Sequence, residues 1–257
     1  MLDLTHIESF YPPALRPFKR NLLREYLQYK ILEQIFSSPW AGKLAFMGGT
    51  AIHLIHGNTR FSEDLDFDNR GIDGPLFREL GDFLVKALAR QGYDVDVRVV
   101  VKSACHLHVR FLRVLFDTGI SRHRDEVLTV QVDAEPQNYS YVPEKVLLSR
   151  FDVFTRIAVV PADLLVAQKI ACLFTRKRPL GRDAFDIVYL MGKAAPDMGY
   201  LREKLGIVDK GELKVKLLRR CAEIDFKQCA RDVGPFLFSP EDSKKVEQFV
   251  EWVQTAF

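Results

Sequence analysis

The sequence predicts an α+β protein, with a mixed sheet and helices up to about residue 160 and a helical part beyond it. Three observations carry this. Apolar and polar residues alternate in short runs between residues 43 and 133, helical spacing takes over after Pro161, and 47% apolar residues in a chain of 257 suffice for a sizeable core. The expected division is N-terminal helices over 1–40, a central core over 41–160 and a helical domain over 161–257.

From the N-terminus, Leu22, Leu23, Tyr26, Leu27, Ile31 and Ile35 stand at helical spacing, which predicts one or two helices within about 13–36. Residues 43–47 read as a short apolar strand. Gly48-Gly49 reads as a turn, and 50–56 as a short helix closed by Gly57, a natural residue just past a helix end. The alternation over 61–68 reads as a strand, and 76–90 as a helix ending before Gln91-Gly92. Runs at 93–101, 106–116 and 127–133 are strand-like and joined by turn residues, which predicts an antiparallel meander. After Pro161, the stretches 162–176, 182–191, 210–222 and 241–253 read as helices.

Composition bounds the function. Charged residues make up 28% and mean hydropathy is near zero, and no apolar run approaches the roughly 20 residues needed to cross a bilayer, so no membrane partner is expected. The start, Met1-Leu2-Asp3-Leu4-Thr5-His6, has neither a basic stretch nor an apolar one, so no signal peptide is expected and the cytoplasm is the expected location. Cys105, Cys172, Cys221 and Cys229 show no CxxC spacing and read as reduced thiols rather than a disulfide frame or zinc site. Net charge is only +3, but the basic residues cluster: Arg16, Lys19, Arg20 and Arg24 early, five between Lys169 and Arg182, and four between Lys214 and Arg220. Such clusters suit a phosphate-rich partner and equally suit solvated helix faces.

The chemistry concentrates in Glu63-Asp64-Leu65-Asp66-Phe67-Asp68. On a strand, Asp64, Asp66 and Asp68 share one face, about 7 Å apart in succession. Clustered carboxylates repel unless a cation lies between them, and an all-oxygen site suits Mg2+ or Mn2+. A solvent-facing acidic strand would look the same, so the upstream segment matters. Gly48-Gly49-Thr50 joins a strand to a helix, where backbone N–H groups can face an anion and the Thr50 hydroxyl adds a donor. Arg60 and Ser62 stand on the approach to the carboxylates, placed for a phosphate contact and a hydrogen bond. Further on, Lys169 and Arg176 are seven residues apart on one helix face, about 10.5 Å along the axis, and Asp183 and Asp186 share a face of the next helix. The alternative for that segment is a helical hairpin pinned by ion pairs, including Arg182 with Asp186.

The run Phe46-Met47-Gly48-Gly49-Thr50-Ala51, followed by Arg60-Phe61-Ser62-Glu63-Asp64-Leu65-Asp66-Phe67, resembles the first motif of the AbiEii/AbiGii toxin family, nucleotidyltransferase-like proteins related to the DNA polymerase beta superfamily. Lys169-Ile170-Ala171, Arg176 and Arg182-Asp183-Ala184-Phe185-Asp186 resemble a second motif, so the likeness spans roughly 44–190. It implies a polymerase-beta-like mixed sheet and transfer of a nucleoside monophosphate from an NTP to an acceptor hydroxyl. In that pattern Asp64 and Asp66 hold two metals, and a third carboxylate from a neighbouring strand binds the second metal or accepts the acceptor hydroxyl's proton. Asp133 is chosen over Glu135, which precedes Pro136 where the strand ends. Gly48, Gly49, Thr50, Arg60 and Ser62 then bind nucleotide, Lys169 neutralises the leaving pyrophosphate, and Asp183 orients Lys169 or the nucleotide. The resemblance further implies a toxin of a toxin–antitoxin pair, with RNA such as tRNA as acceptor and an antitoxin as partner. An antibiotic-type enzyme with a small acceptor and a non-catalytic nucleotide-binding module are the rival readings. His106 and His108 share a strand face but have no third ligand in reach, so they read as packed or solvated.

Overall fold

A computed structural model describes residues 2–101 and 105–256. The chain packs as two compact units, one made of residues 1–51 and 62–160, the other of 52–61 and 161–257.

The first unit carries α1 (Leu4–Ser9), α2 (Lys19–Ser37), β1 (Leu44–Met47), the start of α3 (Gly48–His56), β2 (Leu65–Asn69), α4 (Gly74–Arg90), β3 (Val95–Val101), β4 (Cys105–Phe111), the single turn α5 (Val114–Asp117), β5 (Leu128–Glu135), β6 (Glu144–Arg150) and β7 (Val153–Val159). The strands form one mixed sheet in the order β3-β4-β5-β2-β1-β7-β6. The expected meander is present as β3, β4 and β5, all antiparallel. β2 lies parallel to β5 and antiparallel to β1, and β1 lies parallel to β7. Helices α2 and α4 cover one sheet face, where Leu65, Phe67, Leu107, Val109, Val130, Val132 and Ile157 form the core. The opposite face carries the alternate residues, among them Asp66, Asp133 and His106, all half-buried.

Two boundaries and one pair of strands depart most from the sequence reading. β2 starts at Leu65 rather than at 61, because side chains take over residues 62–64: Gln28 Nε2 donates to the carbonyls of Ser62 and Glu63, and Arg24 pairs with the Glu63 carboxylate. The run 106–116 stops at Phe111, since Arg113 adopts a left-handed φ of 60° and starts α5. Strands β6 and β7 were not expected.

The second unit is helical: α6 (Ala162–Thr175), α7 (Gly181–Met191), α8 (Met198–Leu205), α9 (Lys210–Cys221), α10 (Phe226–Val233), α11 (Lys244–Glu247) and α12 (Phe249–Ala256), with residues 52–56 of α3. Asp197, Asp209 and Asp225 cap α8, α9 and α10 by accepting a hydrogen bond from the third backbone N–H of each helix. The helix expected over 241–253 is instead a 3-10 turn and two short helices. Residues 59–61 run beside 236–238, joined by Phe61 N–H to the Phe236 carbonyl and Phe238 N–H to the Thr59 carbonyl. Among the described residues, no helix is long and apolar enough to cross a membrane.

Candidate functional site

The expected site residues fall into two groups, one in each unit. In the first unit, β1 ends at Met47 and the chain turns at Gly48 with φ +77° into α3. Only glycine fits there: a Cβ would stand 2.7 Å from both Cβ and Cγ of Asp66 and closer still to its carboxylate. The turn therefore packs its backbone against Asp66. The backbone N–H groups of Gly48 and Gly49 open α3 and have no acceptor one turn back. Thr50 departs from its expected role. It is fully buried, and its hydroxyl donates to the backbone carbonyl of Asp64, so it positions Asp64 rather than presenting a donor to a ligand. Ser62 contributes its carbonyl to the Gln28 clamp.

Met47, Asp66, Asp133 and His106 stand in one row across β1, β2, β5 and β4. Parallel neighbours about 4.8 Å apart, Asp66 and Asp133 share the face that α2 and α4 leave uncovered. Asp133 is more constrained than its sequence position implies. His106 Nδ1 lies 2.7 Å from its Oδ1, and Gln131 Nε2 donates to both carboxylate oxygens at 2.9 and 2.8 Å. His106 was read as packed or solvated; it is the cross-strand partner of Asp133, a pairing that only the register of β4 against β5 discloses. Asp68, the third carboxylate of the alternating triplet, is buried and already satisfied by Gln137 N–H at 2.9 Å and Tyr141 O–H at 2.7 Å, so it tethers the segment after β5. Among the described residues, no three His, Cys, Asp or Glu side chains converge into a complete metal cage. In donor chemistry alone, carboxylates such as those of Asp64 and Asp66 suit magnesium, which characteristically takes one or two carboxylates and completes its shell with phosphate and water.

In the second unit, Arg60, Lys169, Asp183 and Asp186 form a buried ionic cluster. Arg60 is 1% exposed and forks onto Asp186, Nε to Oδ1 at 2.7 Å and an Nη to Oδ2 at 2.6 Å. Lys169 Nζ bridges Asp186 Oδ2 at 2.9 Å and Asp183 Oδ1 at 3.0 Å. Asn58 Nδ2 adds a bond to Asp186 Oδ1 at 2.7 Å, while Arg176 Nε stands 3.5 Å from Asp183 Oδ2. Burial opposes charge on Lys169, but Asp183 and Asp186 outweigh it and hold the ammonium protonated above the ordinary lysine range. Burial likewise opposes charge on Asp186, and Arg60 and Lys169 outweigh it, holding its carboxyl below the ordinary range. The expected Arg60 phosphate contact is thus replaced by a buried bidentate pair. The partners of Asp186 are Arg60, Lys169 and Asn58, not Arg182. Of the two neighbours the resemblance allows Asp183, Lys169 or a nucleotide, the ion pair is with Lys169.

The basic cluster of α9 is largely spent on helix ends within this unit. Lys214 donates to the Gln254 carbonyl, Lys216 to that of Gly206, and Arg220 to those of Leu173 and Arg176. Cations at carbonyl ends of helices are electrostatically matched, so these side chains join helices.

A family profile described as nucleotidyl transferase AbiEii toxin, type IV TA system, matches residues 30–248. A comparison with curated proteins finds no significant match. Among solved structures, JHP933 from Helicobacter pylori superposes with a TM-score of 0.57 at 17% identity, covering 92% of this chain and 91% of that one. An antigenic nucleotidyltransferase-like protein from Paracoccidioides brasiliensis gives 0.50 at 17% identity, covering 87% and 92%. At such identities the likeness speaks for the fold.

Proposed function

The chain belongs to the nucleotidyl transferase AbiEii toxin family, and from that premise we propose that it moves a nucleoside monophosphate from an NTP to a hydroxyl of an RNA acceptor such as tRNA, as the toxin of a toxin–antitoxin pair. The observation that carries the reading is the contact of Gly48 with Asp66, which lets a phosphate-facing turn and a metal-binding carboxylate share one corner of the sheet.

The acceptor oxygen attacks the α-phosphorus, the bond from that phosphorus to the bridging oxygen of the β-phosphate breaks, and pyrophosphate leaves. Asp64 and Asp66 would hold magnesium, or manganese, which when bound polarises the triphosphate oxygens and lowers the charge facing the incoming oxygen. The Gly48 and Gly49 amides donate to phosphate oxygens at the start of α3. Asp133 orients the acceptor hydroxyl and takes its proton, with His106 and Gln131 fixing the carboxylate. Thr50 and Gln28 hold the backbone of residues 62–64, so Asp64 keeps its place when substrate is absent. In the second unit, the buried ion pairs of Arg60 with Asp186 and of Lys169 with Asp183 and Asp186 favour an architectural role for both cations.

One observation favours the rival small acceptor: Lys214, Lys216 and Arg220 are engaged on helix carbonyls, which occupies three of the four basic residues of the 214–220 cluster. Incubating the protein with each labelled NTP, magnesium and total tRNA separates the two. Label entering RNA from one NTP, absent with Asp66→Asn, is the expected result. Label entering only small hydroxylated compounds would replace the RNA reading by the rival.

A further inference from the structure

The β6–β7 ribbon presents an unusual face. Its outward residues pair in register as Lys145 with Ala158, Leu147 with Arg156, and Ser149 with Phe154. Phe154 is 71% exposed and Leu147 50%, whereas large apolar side chains at such positions are ordinarily covered. Lys145 and Arg156 are also exposed, and neither has an ion-pair or hydrogen-bond partner among the described residues. Within the ribbon no carboxylate shares this face, since Glu144 alternates to the other side and Asp152 lies in the connecting turn.

Register ties the ribbon to the site. Phe46 pairs with both Phe67 and Val159, so Phe154, Arg156 and Ala158 alternate onto the face that bears Asp66 and Asp133. Lys145 is level with Asp68, about 7 Å along the strands from the Asp66 row, and Phe154 is about 20 Å along, two to three strand spacings of about 4.8 Å to the side. Tyr141, with Arg70 stacked on its ring, leads into β6 from Asp68.

We propose that this face is a track for a single-stranded segment of the RNA acceptor, with a base stacked on Phe154 and phosphates on Lys145 and Arg156. An exposed ring serves any base, and unpaired cations without neighbouring carboxylates match a phosphate chain. The aliphatic Leu147 widens the stacking surface. At about 3.4 Å per stacked nucleotide, Phe154 meets a base roughly six nucleotides from the reacting end. The inference rests on the RNA-acceptor reading and names where that acceptor lies.

The test uses the full chain and a labelled 12-nucleotide single-stranded RNA, followed by anisotropy. Phe154→Ala should weaken binding about 5- to 100-fold, as loss of one base–aromatic stack does, while Phe154→Trp stays within about twofold of wild type. The Lys145→Gln/Arg156→Gln variant should flatten the salt slope by about 1.4, two single-strand phosphate contacts at about 0.7 each. If wild type labels RNA but all variants bind the 12-mer as wild type does, the track is overturned and the RNA reading stands. If wild type neither binds nor labels RNA, both fall. A wild-type dimer that Phe154→Ala dissociates in sedimentation would overturn the track and assign the face to contact between copies.

Discussion

Gly48→Ala isolates the close approach between the α3 turn and the carboxylate of Asp66. Two effects add. A residue with a Cβ held in the left-handed region costs about 1–2 kcal/mol, and the new methyl cannot coexist with Asp66, whose Cβ and Cγ would lie 2.7 Å away. For a chain of this size about 1 kcal/mol moves Tm by roughly 2–4 °C, so a fall of about 2–8 °C is expected. The larger effect falls on the reaction. Asp66 must swing away to clear the methyl, and a misplacement of about 1 Å in a reacting constellation costs on the order of 100-fold in rate. The assay is single-turnover transfer of label from the NTP found active, across a magnesium titration, beside a thermal melt. Slower transfer with weaker magnesium dependence, in a protein that still melts cooperatively, is expected. A variant that transfers at the wild-type rate with wild-type magnesium affinity would refute the claim that this contact builds the site.

Asp64→Ala and Asp66→Ala should each abolish transfer and also abolish any rise of Tm on adding magnesium and NTP; a retained ligand-induced rise would remove that residue from the metal site. Asp186→Leu alone leaves Arg60 buried without its carboxylate and should cost about 3–5 kcal/mol in denaturant melts, Arg60→Met should cost less because Lys169 still pairs with Asp186, and the double variant should recover much of the Asp186→Leu loss. Lys169→Met should lose stability before activity, because Asp183 and Asp186 then share fewer cations; a stable but inactive Lys169→Met would instead return Lys169 to the reaction. The pH dependence follows from signs. Asp186 titrates lower folded than unfolded, so its stabilisation is present above an unfolded carboxylate value of about 3.9 and is lost as pH falls through the folded value; Lys169 titrates higher folded, so its contribution is full below about 10.4 and is lost only as pH rises beyond that. The Tm gap between wild type and Asp186→Asn should therefore stay constant from pH 6 to 9, and convergence within that window would show that the cluster is not fully charged.

Much of the first unit was legible because its signals are local. The meander, the strand–turn–helix at Gly48 and the paired carboxylates each depend on periodicity or on one glycine. β6 and β7 escaped because their turn has no glycine or asparagine. Phe151 takes the left-handed position instead, at φ 56°, packed among Phe10, Tyr11, Tyr26 and Tyr29, so distant aromatics supply what turn residues supply elsewhere. Helices α8 and α10 escaped as well, being only eight residues each, too short for apolar spacing to mark them. A choice between Lys169 and the nucleotide for Asp183 followed from the resemblance. The partnerships of Asp133 with His106 and of Arg60 with Asp186 did not, since they join residues 27 and 126 apart that only the folded chain brings together.

The span of 126 residues between Arg60 and Asp186 also sets a timetable for synthesis. The second unit is discontinuous in sequence, and its early strip, residues 52–61, leaves the ribosome long before its helices. At about 5–20 residues per second, Arg60 waits roughly 6–25 s for its counter-ion to be made. Over that interval Asn58 and Arg60 have no interior to enter. The last third of the chain, produced alone as residues 161–257, would close around Asp183 and Asp186 without Arg60.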